Sequence, residues 1–444
     1  MIAVLKRALY YALLLPALNP CVLLSFLPVI AAVPVIVVSS AFYIVYNIMP
    51  YRSPDEEIRA RRLRGGFELA LAAIVCLTAE VLLYVALILM KAGLSWLELL
   101  INGIVFVALF SIMLTGGIIR IFISSSHVGV VPRILLLLLW WVPGVNVILL
   151  RHFLLASRSE YRFLVTRRKL DEDRLHEEVC KTKYPLLMVH GIFFRDWKHF
   201  NYWGRIPDEL IKNGAAIYYG GQQSSASVSL CAEELKKGIL AAIQESGAEK
   251  VNIIAHSKGG LDSRYAISML GMGKYVASLT TVNTPHHGCS YVRKLMDILP
   301  ERAVATLGDT YELAFSKLGD VNPDFMGGLR DLTDEECARL NEMMKDDPGV
   351  LYQSTGSKLH SRFSSHFPFN LGYTIIKASK GGDNDGLVST ESMKWGDFLG
   401  IVSPRGKEGI SHSDMVDLIR RDIGDFDVCE FYVDLVQKLK LRGL

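Results

Sequence analysis

Val251-Asn252-Ile253-Ile254-Ala255-His256-Ser257-Lys258-Gly259-Gly260 is the stretch from which the fold can be read. An apolar, β-branched run, Val251 to Ile254, stops at a serine flanked by small residues. The form small-x-Ser-x-Gly is that of a sharp strand-to-helix elbow with the serine at its apex. The apex backbone is strained, so the positions two before and two after the serine must be small, as Ala255 and Gly259 are. Ala255 stands where glycine is usual, a difference of one methyl group. With a buried-type strand before it and Gly259-Gly260 opening a helix after it, Ser257 is expected to be a nucleophile rather than a residue of an ordinary turn.

Working outward, strands alternate with helices from Tyr184 onward. Leu186–Val189 reads as a short strand ending at His190-Gly191. Pro207–Lys212 reads as a helix closed by Gly214, and Ala215–Tyr219 as a second strand. Cys231, Leu235, Ile239 and Ile243 recur every four residues, the mark of an amphipathic helix ending near Gly247. Leu279–Val282 and Tyr373–Lys377 read as further strands. Val428, Phe431, Tyr432, Leu435 and Leu439 give a final amphipathic helix. This alternation predicts a mostly parallel sheet with helices on both faces. Sites in such sheets form at the carboxyl ends of the strands, where both His190-Gly191 and Ser257 fall.

A serine hydroxyl is a weak nucleophile until a base removes its proton, and a histidine oriented by a carboxylate is the usual base. After an elbow of this kind the acid comes first and the histidine second. The histidines after Ser257 are His286, His287, His360, His366 and His412. His286 and His287 follow the next strand directly, which is too early. His360 and His366 precede the acid candidates. His412 lies after the last strand and before the final helix, as the order requires. For the acid, Asp383 and Asp385 in Gly381-Gly382-Asp383-Asn384-Asp385-Gly386 both qualify, and each could serve only as a turn residue.

The segment from Tyr184 to the C terminus, about three fifths of the chain, resembles the bacterial triacylglycerol lipases of the α/β-hydrolase fold. The resemblance rests on Tyr184-Pro185 through Val189-His190-Gly191, on Val251-Asn252 through Gly259-Gly260, and on Thr284-Pro285-His286-His287-Gly288. It continues in Asn384-Asp385-Gly386-Leu387-Val388 and Ser411-His412-Ser413-Asp414. It implies Asp385 as the acid and His412 as the base. It also implies an oxyanion hole of two backbone N–H groups, from Lys258 after the nucleophile and from Ile192 after His190-Gly191. The Lys258 ammonium is expected at the rim of the site. Asp262 and Arg264 are read as helix-dipole and packing residues. The family often carries a disulfide and a structural calcium. Here Asp414 matches one calcium ligand, no partner aspartate is evident upstream of Asp385, and no cysteine pair matches the disulfide, so neither metal nor cofactor is expected. The insertion at 289–350 holds Tyr311, Ala314, Phe315 and Leu318 on one helical face, which reads equally as an amphipathic lid or as a packed helix.

The first third of the chain is different in kind. Hydrophobic residues make up 51% of the 444 and charged residues 21%, too apolar for an ordinary soluble enzyme. Ala8 to Tyr51 carries no charge and can hold two membrane spans of about 20 residues each, with Asn19-Pro20, Pro28 and Pro34 as turning points. Leu69–Met90, broken only by Glu80, and Leu99–Ile119 are further spans. Ile134–Leu150, with Pro143-Gly144 inside it, is short and reads as spanning, re-entrant or interfacial. Residues 1–156 are thus expected to form a membrane domain of four to five apolar segments, 157–183 a charged linker and 184–444 the hydrolase domain. Glu80 is read as packed between helices rather than functional. Lys6, Arg7, the arginines of 52–64 and the basic stretch 151–169 place the hydrolase domain on the cytoplasmic side if the number of spans is even.

Seven scattered cysteines with no CxxC pair fit reduced thiols and exclude a zinc site of that type. A net charge of +3 without a basic, aromatic-interleaved patch gives no case for nucleic acid. The expected function is that of a multi-pass membrane serine hydrolase cleaving lipid carboxylic esters, with a lipid ester and the bilayer as partners. A lipid acyltransferase using the same three residues, and a non-catalytic membrane scaffold, are the alternatives. The sequence does not specify an oligomeric state.

Overall fold

Leu186 to Val189 points alternate side chains to opposite faces, and two separate cores form as a result. Leu186 and Met188 join one buried cluster, Leu187 and Val189 the other. A strand apolar on both faces belongs inside a sheet covered on both sides. The computed structural model of this chain describes residues 2–91, 93–128, 130–174, 177–192, 202–223, 225–289, 292, 294, 324–378, 381–404, 409–420, 423 and 426–444. It separates into two compact units, Met1–Glu172 and Asp173–Leu444.

The first unit is helical: α1 (Ile2–Leu18), α2 (Pro20–Phe26), α3 (Val29–Ile48), α4 (Ile58–Leu89), α5 (Trp96–Ser124), α6 (Val130–Leu139) and α7 (Val145–Arg174). The helices α3, α4 and α5 are long and apolar enough to cross a membrane, and α1 with α2 makes a fourth candidate bent by 81°. The bend falls where Asn19-Pro20 removes a backbone donor. A capping box starts α5, in which Ser95 Oγ accepts from the Glu98 N–H while Glu98 Oε2 accepts from the Ser95 N–H. At ten residues, α6 is about 15 Å long and cannot by itself cross a hydrocarbon core of about 30 Å. The residues expected to form a charged linker continue the last helix as far as Arg174. Glu80 is buried, as expected, but it has polar company. Asn102 Nδ2 donates to Asn19 Oδ1 at 2.8 Å and lies 3.5 Å from both Glu80 Oε1 and Tyr84 Oη.

The second unit is built on six parallel strands in the order β2-β1-β3-β4-β5-β6: β1 (Leu186–Val189), β2 (Ile217–Tyr219), β3 (Val251–His256), β4 (Val276–Val282), β5 (Leu351–Ser357) and β6 (Asp397–Val402). Its helices are α8 (Ile206–Lys212), α9 (Val228–Ser246), α10 (Gly259–Met269), α11 (Phe325–Arg330), α12 (Asp334–Met343), α13 (Phe369–Ala378) and α14 (Val428–Leu441). Leu235, Ile239 and Ala242 of α9 pack with Ala266 and Ile267 of α10 on one face of the sheet. Ile206 and Leu210 of α8 pack with Tyr432, Val433 and Val436 of α14 on the other. The helix α9 ends at Gly247, which adopts φ +70°.

One element differs from the expectation. Tyr373–Lys377 is helical, not extended, and lies within α13. Its buried residues, Gly372 and Ile376, are four apart, a helical period that outweighs the short β-branched run. The late strands are β5 and β6 instead. In β5 the buried Gln353, Ser354 and Thr355 each find a partner outside the strand: Gln353 Nε2 donates to Thr280 Oγ1, Ser354 Oγ to the Trp395 carbonyl and Thr355 Oγ1 to the Gly400 carbonyl, at 2.7–3.0 Å. The helical face expected at 311–318 lies outside the described residues.

Candidate active site

The strand β3 delivers Ser257 into the turn before α10 with φ +55°, the left-handed region that costs a non-glycine residue about 1–3 kcal/mol. Neighbouring contacts hold it there. Its N–H donates to the Val282 carbonyl at 3.0 Å, and Thr284 Oγ1 donates to its carbonyl at 2.8 Å. The size restriction after the serine is severe. A Cβ on Gly259 would lie 2.3 Å from the His190 carbonyl oxygen. Opposite, a Cβ on Gly191 would lie 2.8 Å from Ser257 Cβ, so the end of β1 passes against the elbow and carries Ile192 beside it. Among the described residues, neither the Ile192 nor the Lys258 N–H has a backbone acceptor. His190 fixes this loop: its Nε2 lies 3.0 Å from the Gln222 carbonyl, and Gln222 Nε2 donates back to the His190 carbonyl at 3.1 Å.

Two residues apart in sequence, Asp383 and Asp385 are unlike in surroundings. Asp383 is half-exposed and accepts from Lys358 and Lys377, which hold its carboxyl below the usual range. Asp385 is fully buried. Its Oδ1 accepts the N–H groups of Leu387 (2.8 Å) and Val388 (2.7 Å). Its Oδ2 accepts Asn283 Nδ2 and His412 Nδ1, both at 2.6 Å. The backbone locks the same pair, since the His412 N–H donates to the Asp385 carbonyl at 3.0 Å. His412 returns to the elbow through His256. Their rings are 4.5 Å apart, and His256 Nε2 is 3.2 Å from the His412 carbonyl. Nδ1 directed at a carboxylate leaves Nε2 as the acceptor, the tautomer a general base needs.

Around this centre, the remaining expectations sort themselves by burial. Lys258 is not at the rim. It is buried, with Nζ 2.7 Å from Asp262 Oδ1, because the first turn of α10 is roofed over. Burial disfavours the ammonium, but Asp262 and Cys231 outweigh that and hold it above its ordinary range, while burial pushes Asp262 up to about 6. Asp262 is thus the partner of a buried cation. Arg264 is a packing residue, as expected, with its guanidinium 3.4 Å from the Trp395 ring centre and Nη1 donating to Asn341 Oδ1. His286 is buried beside Thr281 Oγ1 and Trp395, and His360 pairs with Ser403 Oγ, so neither joins the centre.

Asp414 closes the histidine turn, its Oδ2 accepting from the Ser411 N–H and Oγ at 2.9 and 2.6 Å. Its Oδ1 is buried without a hydrogen-bond partner, and among the described residues it belongs to no cluster of three acidic, histidine or cysteine groups. All seven cysteines are free thiols.

Asn283 is the contributor that sequence reasoning missed. It follows β4 with φ +50°, and its Nδ2 reaches both Asp385 Oδ2 and Ser357 Oγ (2.8 Å). Its only signal in sequence is an asparagine, tolerant of that backbone region, placed between a strand and Thr-Pro. Tyr202, whose Oη lies 2.7 Å from His256 Nδ1, gives no such signal.

Residues 186–355 match the family model described as "Putative serine esterase (DUF676)". A triacylglycerol lipase of Pseudarthrobacter phenanthrenivorans is 32% identical over 173 residues, 36% of this chain and 53% of that protein. One from Vibrio cholerae is 25% identical over 287 residues, 60% of this chain and 90% of that one. The solved Staphylococcus hyicus lipase is 19% identical with a TM-score of 0.47, covering 59% of this chain and 97% of its own. The chain spans about half the length of the Pseudarthrobacter and Burkholderia plantarii lipases it matches. With a serine elbow on a parallel sheet and a serine-esterase match over 186–355, residues 184–444 resemble the lipases and esterases of the α/β-hydrolase fold.

Proposed function

We propose that this chain is a membrane-embedded serine hydrolase that cleaves carboxylic esters of lipids. The observation that carries the reading is the buried pairing of Asp385 Oδ2 with His412 Nδ1 at 2.6 Å, beside a serine held at φ +55°. Ser257 Oγ attacks the ester carbonyl carbon while His412 Nε2 takes its proton. The carbonyl oxygen becomes an oxyanion facing the N–H groups of Ile192 and Lys258. Collapse expels the alcohol, which receives the proton from His412, and leaves an acyl group on Ser257. Water, deprotonated by His412, then releases the acid and restores the serine. Asp385 stays ionised throughout and stabilises the imidazolium.

Lipid rather than soluble esters are favoured by the three helices long and apolar enough to cross a membrane, and by the similarity to triacylglycerol lipases. With the bent α1–α2 pair as one span, the described residues hold four candidate spans, and α6 is too short to add another. Arg52–Arg64 and Arg151–Lys169 then share the side of Lys6 and Arg7, which supports a hydrolase unit facing the cytoplasm.

The full-length protein should release fatty acid from vesicle-borne diacylglycerol or triacylglycerol in preference to hydrolysing a short, soluble p-nitrophenyl ester. Preference for the soluble ester at equal concentration contradicts the lipid assignment.

A further inference from the structure

The segment that follows β5 leaves two phenylalanines in water. Phe363 is 82% exposed and Phe367 73%, and Leu371 nearby is 46% exposed. A phenylalanine gains most by burial, so two left open within five residues form a surface that another phase can cover. The segment is not a loose excursion. The Leu359 N–H donates to the Asn384 carbonyl at 2.8 Å, and the Lys358 carbonyl accepts from the Ile410 N–H at 2.9 Å. His360 Nε2 is 2.7 Å from Ser403 Oγ, beyond the carboxyl end of β6. Further on, α13 presses against the acid loop so closely that a Cβ on Gly372 would lie 1.8 Å from the Gly386 carbonyl oxygen. The exposed aromatics therefore stand on a base tied to the loops of Asp385 and His412.

Their charge setting identifies the phase. Residues 358–378 contain Lys358, Arg362, Lys377, His360 and His366 and no aspartate or glutamate. Asp383, from the neighbouring loop, engages Lys358 and Lys377. Three cations against one carboxylate leave +2 with the histidines neutral. The Arg362 guanidinium lies 4.6 Å from the Phe363 ring centre, so cation and aromatic are presented together. Exposed aromatics with an arginine beside one of them, on a segment of net positive charge, suit the headgroup and upper acyl region of an anionic bilayer. The same chain carries helices long and apolar enough to cross a membrane. We propose that residues 358–372 form a docking surface for anionic phospholipid, with Phe363 and Phe367 entering the acyl boundary and Arg362 meeting lipid phosphate. Docking there holds the Asp385 and His412 side of the hydrolase unit against the layer that contains the ester. The purpose assigned to the surface rests on the ester-hydrolase reading, but its lipid binding does not.

The test uses full-length protein reconstituted into phosphatidylcholine vesicles with and without phosphatidylglycerol. Phe363→Cys and Phe367→Cys each carry an environment-sensitive maleimide dye. Ser246→Cys, at the exposed end of α9, is the reference, and the unsubstituted chain corrects for labelling of native thiols. A nitroxide borne by the lipid should quench dyes at 363 and 367 in phosphatidylglycerol vesicles. Quenching should weaken in pure phosphatidylcholine or at high salt, and the reference dye should respond only to aqueous iodide. In kinetics, Phe363→Ser/Phe367→Ser should raise KM for a vesicle-borne ester on the order of tenfold while leaving hydrolysis of p-nitrophenyl acetate unchanged. Iodide quenching at 363 and 367 without lipid quenching overturns the proposal, as does shielding of the dyes by cross-linkable contact between copies of the protein. Lipid quenching in a protein that hydrolyses no ester would sink the catalytic reading and leave the docking surface standing.

Discussion

Glu160 and Asp385 are both carboxylates with no exposed surface, one in each compact unit. Each is saturated with donors. Glu160 accepts from Ser125 Oγ, from Ser126 N–H and Oγ, from the His127 N–H and from Arg59. Asp385 accepts from two backbone N–H groups, the Asn283 amide and His412. Saturation is what burial of a carboxylate demands anywhere, so it does not by itself mark a catalytic centre. The donors differ. Glu160 is clamped by groups that keep their protons at neutral pH, and it ties a loop to α7. Asp385 spends one lone pair on an imidazole whose other nitrogen can exchange a proton, next to a serine in a strained turn. The proposed chemistry rests on that one donor.

The contrast can be broken most severely at the acid. Asp385→Asn keeps the shape but presents an amide to His412, favouring the wrong tautomer; kcat should fall on the order of 10⁴-fold. Asp383→Asn removes only half-exposed ion pairs and should stay within a few-fold of the parent in the same ester assay. Equal losses in the two variants would show that the surroundings of Asp385 confer nothing special.

A smaller effect sharpens the role of the donors. Asn283→Ala deletes one hydrogen bond to a charged oxygen, worth about 1.5–3 kcal/mol, so kcat should fall on the order of 10- to 100-fold with KM nearly unchanged. A purely structural asparagine would lower the melting temperature and leave kcat in place.

The smallest effect, per residue, concerns histidines outside the proposed triad. Burial first, and His412 second, hold His256 well below its ordinary pKa; burial first, and Arg264 second, do the same to His286. Both stay neutral in the fold, whereas the unfolded chain protonates them near pH 6.5. The stability they contribute is therefore present above that value and lost as pH falls below it, by about 1.4 kcal/mol per pH unit for each histidine. Denaturant midpoints between pH 7 and pH 5 check this, and His286→Gln should flatten the slope if the glutamine amide replaces the ring at Thr281.

Much of the sheet unit is legible in the sequence because its first four strands carry apolar runs and its elbow restricts residue size. Val251–Ile254 and Ala255, Gly259 and Gly260 report burial and close approach directly. The late strands are not legible. Gln353, Ser354 and Thr355 are polar residues satisfied by partners 41 to 73 positions away, which no local pattern reports. Tyr373–Lys377 fails for the opposite reason, since a β-branched run there obeys the helical spacing of Gly372 and Ile376. At the candidate site, Ser257 and His412 are proposed from turn chemistry and chain order, while preferring Asp385 to Asp383 drew on the family resemblance and is supported by its burial. Asn283 was out of reach, because its role depends on a carboxylate 102 residues later. In the helical unit hydropathy finds the long helices, but the companions of Glu80 come from α5 and from the break at Asn19.

The central claim is that Ser257 is an activated nucleophile. Purified full-length protein should be treated with an alkyl fluorophosphonate and the adduct mapped by peptide mass spectrometry, with Ser257→Ala and His412→Ala in parallel. A single adduct on Ser257, absent in the first variant and slowed by orders of magnitude in the second, is the predicted result. Folded protein that takes no label, or takes it elsewhere at the same rate with Ser257 replaced, would contradict the account.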